Sequence, residues 1–229
     1  MKDWFAGEVA ERYDADVIRR KPPDPAVDFL LPFAAGGALE LAIGTGRVAV
    51  PLAARGVRVA GIDLSPDMVA QLRKKTDSIP VVVGDMTTER VEGTFSLAYI
   101  VCNSLNNVTT QEGQIAVFAN AAAHLEPRGR FVVEVGVPAK QRLEVFDLSD
   151  THVGVDEHDF DTQALVSHHF SLIDGVWERR SIPFRAVYPA ELDLMARLAG
   201  MELRERWADW DRSPFTAEST KHVSVWEKL

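Results

Sequence analysis

The chain has 229 residues, 46% of them hydrophobic, and a formal net charge of −9, enough for one large α/β domain, alone or with an added lobe. Acidic balance without a Lys/Arg stripe argues against nucleic acid as the main partner, and no apolar run approaches the roughly 18 residues of a membrane-spanning helix. The only cysteine, Cys102, excludes a disulfide within the chain and fits a reducing cytoplasm.

In chain order, Trp4 to Arg19 reads as an amphipathic helix, with Phe5, Val9 and Tyr13 four apart. A Pro-rich break follows, and Asp24-Pro25 reads as N-cap and first residue of a second helix. From Ala38 short apolar runs alternate with helical patterns: strands at 38–42, "GVRVAGID", "IPVVVGD", "TFSLAYIVCN" and "RFVVEV", helices at Arg47–Ala54, Pro66–Lys75 and Gln111–Leu125. That alternation specifies right-handed crossovers and a parallel sheet covered on both faces. Beyond residue 140 the rhythm changes. Asp174-Gly175 sits between β-rich runs as a two-residue hairpin turn. A helix "PAELDLMARLAG" then precedes two runs that alternate as antiparallel strands.

The expected architecture is a Rossmann-like three-layer α/β sandwich. It has a mostly parallel seven-stranded sheet with an antiparallel edge, an N-terminal helical lid and an inserted β-hairpin lobe. The expected divisions are a lid over 1–36, a nucleotide-binding core over 37–136, a β lobe over 137–187 capping the acceptor site, and a C-terminal helix with the last strands over 188–229.

Three acids mark three successive strand ends. Glu40 precedes the turn of Gly44 and Gly46, where glycine allows positive φ and close backbone approach. Asp63 ends the second strand, placed to accept ribose hydroxyls. Asp85, with Met86 beside it, ends the third. Strand ends are where open α/β sheets bind ligands. "GTGRVA" alone also satisfies the dinucleotide fingerprint.

Taken together, "ELAIGTGRVAVPLA", "GIDLSPDMVAQLRKK", "VVVGDM" and "LEPRGRFVVEV" resemble the successive motifs of the class I S-adenosylmethionine-dependent methyltransferases, over about residues 38 to 136. The resemblance implies that Glu40, Ala42, Gly44 and Gly46 contact the methionine portion of the cofactor. It implies that Asp63 holds the ribose, that Leu64 and Met68 flank the adenine, and that Asp85 and Met86 meet its edge and face. Tyr13, in a lid-like first helix, faces the cofactor carboxylate in this reading. Ala42 departs from the glycine many members carry.

The acceptor loop is "VCNSLNNV". It lacks the Asn/Asp-Pro-Pro-aromatic motif of nucleobase amine methyltransferases and resembles the loop of small-molecule and aminosugar enzymes. Asn103 and Asn106 are candidate substrate ligands, and Cys102 reads as a small core residue. Glu134 is the one obvious carboxylate nearby, so no metal is expected. Candidate bases are His168, His169, Glu134 and Tyr13, of which His168 and Glu134 are taken as catalytic, and Arg185 could hold an acidic substrate. If Asp174-Gly175 is the turn, Val166, His168, Phe170 and Leu172 share one face, and Ser167, His169 and Ser171 share the other.

The expected function is S-adenosylmethionine-dependent methyl transfer to oxygen or nitrogen of a small molecule, by a cytoplasmic monomer or homodimer with no nucleic-acid or membrane partner. Two alternatives remain, an NAD(P)-dependent oxidoreductase and a non-catalytic cofactor-binding subunit.

Overall fold

The structure, a computed structural model, describes residues 3–18, 23–138 and 140–229. Through the first half run α1 (Glu8–Ile18), α2 (Asp24–Leu30), β1 (Ala38–Leu41), α3 (Ala49–Ala54), β2 (Val59–Asp63), α4 (Pro66–Arg73), β3 (Val81–Val83), β4 (Phe95–Ile100), α5 (Gln111–His124) and β5 (Leu125–Gly136). Then come β6 (Leu143–Leu148), β7 (His152–His158), β8 (Ala164–Ile173), β9 (Val176–Arg185), α6 (Pro189–Leu198), β10 (Met201–Trp207) and β11 (Lys221–Lys228).

The main sheet has seven strands in the order β10-β11-β5-β4-β1-β2-β3. β1 pairs in parallel with β2 and β4, while β11 runs antiparallel between β5 and β10. The expected sandwich is therefore present. Residues of α2, α3 and α4 pack one face with Leu97, Tyr99 and Val132. Those of α5 and α6 pack the other with Leu39, Leu41 and Phe131. Both faces are dry, which is why the central strands read as continuous apolar runs.

Some boundaries shift. α1 begins at Glu8, and Arg19 lies outside the described residues. Asp24 is the first residue of α2, with Pro23 as N-cap. α3 starts two residues later than its sequence pattern, because the turn through Gly44 and Gly46 extends to Val48. Trp210 packs on the cluster that holds Val223 and Val225 of β11, and crosses edge-on against Phe29 of α2 at 5.4 Å.

The larger difference lies in the lobe. The hairpin is present: Asp174 and Gly175 have φ of 49° and 80°, and His168 opposes Ser181 as the turn requires. It is half of a four-stranded antiparallel sheet, β6-β7-β8-β9. β6 and β7 carry no clean strand pattern, because their apolar residues are interrupted by acids, as in "LEVFDL" and "HVGVDEH". On one face of this sheet Asp156 opposes Ser167, and Gly154 opposes His169. A Cβ at Gly154 would meet the Phe146 ring at 2.4 Å, so only glycine lets that ring lie edge-on to His169, 5.4 Å away.

Candidate active site

The site is built where β1, β2, β3 and β4 end. Glu40 sits on β1 directly across from Tyr99 of β4, and the Tyr99 hydroxyl donates to Glu40 Oε2 at 3.0 Å. Glu40 is 2% exposed. Burial raises its pKa from the ordinary 4.5 to about 8, against the Tyr99 hydrogen bond and the charge of Arg47, which lower it. A carboxylate so placed gains most from a cation that follows it into the cavity.

The chain then turns through Ala42, Gly44 and Gly46, with φ of 61°, 55° and 74°. Left-handed backbone is costly for alanine, by about 1–2 kcal/mol. Ala42 thus stands in a conformation that suits glycine, a physical basis for the glycine found there in many members of the resembled family. Asp63 holds this turn in place. Its Oδ2 accepts from Gly44 N at 2.6 Å, and its Oδ1 from Ser65 N at 2.8 Å, at the start of α4. Burial nevertheless keeps the Asp63 carboxyl above its usual range.

The helix α1 is fastened over the turn. Asp14 accepts from Thr45 Oγ1 at 2.5 Å and pairs with Lys75, whose ammonium also donates to Thr45 O at 2.8 Å. Gly7 N donates to Asp67 Oδ2 at 2.7 Å. Tyr13 is thereby brought to the site, where burial pushes its phenol above its ordinary range.

After β4 two successive residues, Cys102 and Asn103, have φ of 57° and 60°. Such strained pairs persist only where surrounding structure over-determines them. Here Glu134 Oε2 accepts from Cys102 N at 2.8 Å, and Asn103 Oδ1 accepts from Gly136 N at 2.6 Å. A 3-10 turn over Ser104–Asn107 follows.

These elements enclose a cavity of about 500 Å³, closed on its far side by the second sheet. Of the residues singled out in the sequence, Tyr13, Glu40, Ala42, Gly44 and Asp63 line it. Leu64, Met68, Asp85 and Met86 line it too, as do Asn103 and Asn106. Gly46 does not: a Cβ there would meet Leu72 Cδ1 at 2.9 Å, so this glycine serves packing on α4.

Three expectations need correction. His168 points away from the cavity, with Nδ1 against Ser181 Oγ at 2.8 Å and Nε2 3.6 Å from Glu157. The pairing register was read correctly, but the polar face of β8, with Ser167 and His169, is the one over the cavity. Glu134 is not a lining residue; it pins the strained turn and lies 3.9 Å from Lys221. Arg185 is buried in a structural cluster, donating to Gln114 Oε1 at 2.5 Å, Gln163 Oε1 at 3.0 Å and Glu191 Oε1 at 2.6 Å.

Cys102, read as a core residue, lines the cavity and meets the Arg47 guanidinium through its sulfur. Sequence reading also passed over Arg47, Asn107 and Asp156, all lining residues. Arg47 was legible as the cation three places after Gly44, the turn partner of Asp63. Asp156 was not, because its strand was not recognised. Oδ1 of Asn106, Asn107 and Asp156 is buried with no hydrogen-bond partner among the described residues. Burial raises the Asp156 carboxyl, against a hydrogen bond from Ser167 and nearby His158 that lower it.

The role of Glu134 is open to test. Glu134→Ala leaves the Cys102 N–H without its acceptor and should cost about 1–3 kcal/mol of stability, with lower turnover. Glu134→Gln keeps an acceptor oxygen and should melt near the wild type. Equal melting and turnover for the two variants would contradict the pinning role.

Comparison with known proteins agrees with this geometry. Residues 38–129 match a family model described as a methyltransferase domain. The CcbJ methyltransferase from Streptomyces caelestis is 37% identical, with a TM-score of 0.83, covering 94% of this chain and 96% of that one. The dTDP-3-amino-3,4,6-trideoxy-alpha-D-glucopyranose N,N-dimethyltransferase of Streptomyces venezuelae is 32% identical over 120 residues, 52% of this chain and 46% of that relative. The SAM-bound amino pentose methyltransferase CalS10 from Micromonospora echinaspora has the same fold, with 18% identity and a TM-score of 0.73 over the whole of both chains. Buried acids at successive strand ends, the strained glycine turn and the near full-length similarity lead to one assignment: the chain belongs to the S-adenosylmethionine-dependent methyltransferases, and S-adenosylmethionine is its cofactor.

Proposed function

We propose that this enzyme methylates the nitrogen of an amine on a small, hydroxylated molecule. The observation that carries this reading is Asp156, whose buried Oδ1 lacks a hydrogen-bond partner among the described residues and faces the cavity from the second sheet. A carboxylate in that state favours an ammonium ligand over a neutral hydroxyl. Asn106 and Asn107 add two further acceptor oxygens of the same kind, which suits a donor-rich molecule. The relatives named above for nitrogen targets, an amino sugar dimethyltransferase and an amino pentose methyltransferase, support it.

On this reading the residues of the strand-end half of the cavity would hold the cofactor, which would supply an electrophilic methyl on a sulfonium. Glu40 holds its ammonium, and Arg47 with Tyr13 holds its carboxylate. Asp63 accepts from the ribose hydroxyls. Asp85, Met86, Leu64 and Met68 surround the adenine. The second sheet covers the other half and excludes water, so that the neutral amine and the methyl carbon meet in line. The bound cofactor would supply the methyl group to the amine lone pair and would be left as its thioether.

Matched acceptors test the reading. The probes are 3-amino-3-deoxyglucose and glycinamide, with glucose and glycolamide as hydroxyl counterparts. Mass spectrometry should show methyl gain on the amines alone. Methylation of the hydroxyl members instead would overturn the nitrogen assignment.

A further inference from the structure

Along its cavity face the second sheet carries a line of side chains that the reading above leaves unused. The Ser167 hydroxyl lines the cavity, and its Oγ lies 3.4 Å from His169 Nε2. His169 Nδ1 lies 3.2 Å from His152 Nε2. His152 Nδ1 lies 2.8 Å from Asp147 Oδ2. The line runs across β8, β7 and β6, from the cavity to the half-buried His152–Asp147 pair, whose side chains are 20% and 22% exposed.

The hydrogen-bond roles in this line are not independent. An ionised Asp147 accepts, so His152 carries its proton on Nδ1 and offers Nε2 as an acceptor. His169 then donates from Nδ1, which leaves its Nε2 lone pair directed at the Ser167 hydroxyl. One carboxylate at the far end thus sets both tautomers. The arrangement resembles a Ser-His-Asp triad lengthened by one imidazole.

We propose that Ser167, His169, His152 and Asp147 form a chain that withdraws a proton from the bound amine before methyl transfer. The inference rests on the amine reading above. An amine arrives as an ammonium near neutral pH and has no lone pair to attack with. Once the ammonium occupies Asp156, the Ser167 hydroxyl turns to His169. The ammonium N–H proton passes to Ser167 Oγ as the Ser167 proton passes to His169 Nε2. The His169 Nδ1 proton passes to His152 Nε2, and the His152 Nδ1 proton is shared with Asp147 and leaves to solvent. One proton enters the chain and one leaves, and the amine keeps its electron pair for the methyl carbon. Ser167 touches the substrate; His169, His152 and Asp147 act through it.

The charged and titratable groups facing this line come from all four strands. They are Asp147 and Glu144 on β6, His152, Asp156 and His158 on β7, His169 itself on β8, and Arg180 and Glu178 on β9, across from His169 and Ser171.

Two readouts on the full chain test the proposal. The first is nuclear magnetic resonance of the ring nitrogens in protein labelled with nitrogen-15 histidine, at pH 7.5 and without acceptor. His169 should be protonated on Nδ1 and bare on Nε2, and His152 protonated on Nδ1. Asp147→Asn should shift both tautomers. A wild-type His169 that carries its proton on Nε2 overturns the proposal, whatever the substrate is. The second uses 3-amino-3-deoxyglucose or glycinamide, whichever turns over. Asp147→Asn should lower kcat on the order of 10²-fold at pH 7.5, leave KM within about two-fold, and recover as rising pH deprotonates the amine in bulk water. A purely structural role for Asp147 gives a deficit that pH does not repair, which also overturns the proposal. If neither amine turns over, the amine reading is at fault, and the tautomers alone decide whether the chain exists.

Discussion

Asp63→Ala is expected to lose S-adenosylhomocysteine binding and part of its fold together. The Asp63 carboxylate accepts from Gly44 N and from Ser65 N, so its removal frees both the glycine turn and the first turn of α4. Hydrogen bonds to a charged acceptor contribute roughly 1.5–3 kcal/mol each, so a stability loss of about 3 kcal/mol or more follows. The ribose contact is lost as well, and Kd should rise at least about 100-fold, since each 1.4 kcal/mol is a factor of ten. Sequence reasoning, seeing only a strand-end acid, expects the ligand to suffer much more than the fold. Asp63→Asn separates the two effects. One oxygen still accepts a backbone N–H, so melting should lie between those of the wild type and Asp63→Ala, while the ligand remains weakly bound. Normal titration of Asp63→Ala with S-adenosylhomocysteine in a calorimeter would remove Asp63 from the site.

The second expected result concerns pH. Burial raises the folded-state pKa of Glu40 to about 8 from an ordinary 4.5. Between those values the folded chain binds more protons than the unfolded chain, so stability is greatest below 4.5 and is lost as pH rises through 8. His222 opposes this. Burial lowers its pKa to about 4 from 6.5, so its contribution grows as pH rises from 4 to 6.5 and is then complete. The window from 6.5 to 8 therefore belongs to Glu40, and the ligand-free protein should melt progressively lower across it. Glu40→Gln should flatten that slope. Ligand ammonium at Glu40 favours the ionised carboxylate, so binding of S-adenosylhomocysteine at pH 7 should release protons. Titrations in buffers of different ionisation enthalpy measure that release. A melting point that rises between pH 6.5 and 8, or binding with no proton release, contradicts the placement of Glu40.

The parts of the site that were legible in the sequence share one cause. Glu40, Asp63 and Asp85 end apolar runs that must be parallel strands, and parallel strands put their carboxyl ends on one side of the sheet. The reading then needs no side-chain detail. Where geometry depends on an unrecognised partner, the sequence was silent. Glu134 lies near the acceptor loop in sequence logic as much as in space, but its partner is a backbone N–H at a left-handed Cys102, which no residue pattern announces. Arg185 finds Gln114 of α5, Gln163 of the β7–β8 turn and Glu191 of α6. In the hairpin the pairing was legible and the choice of face was not. An apolar face normally turns inward, yet here Trp177 and Leu172 on the His168 face are 50% and 36% exposed. The polar face of the second sheet covers a cavity that itself demands polar groups.

The central claim is that one cavity serves both molecules, with the strand-end acids on the cofactor and the second sheet on the amine. A crystal structure with S-adenosylhomocysteine tests it most directly. The account predicts the adenosyl and amino acid portions against Asp63 and Glu40, with the thioether sulfur facing Asp156 and Ser167 across a gap that fits one amine group. A sulfur turned away from the second sheet, or an Asp156 carboxylate sealed from it by protein, would contradict the account.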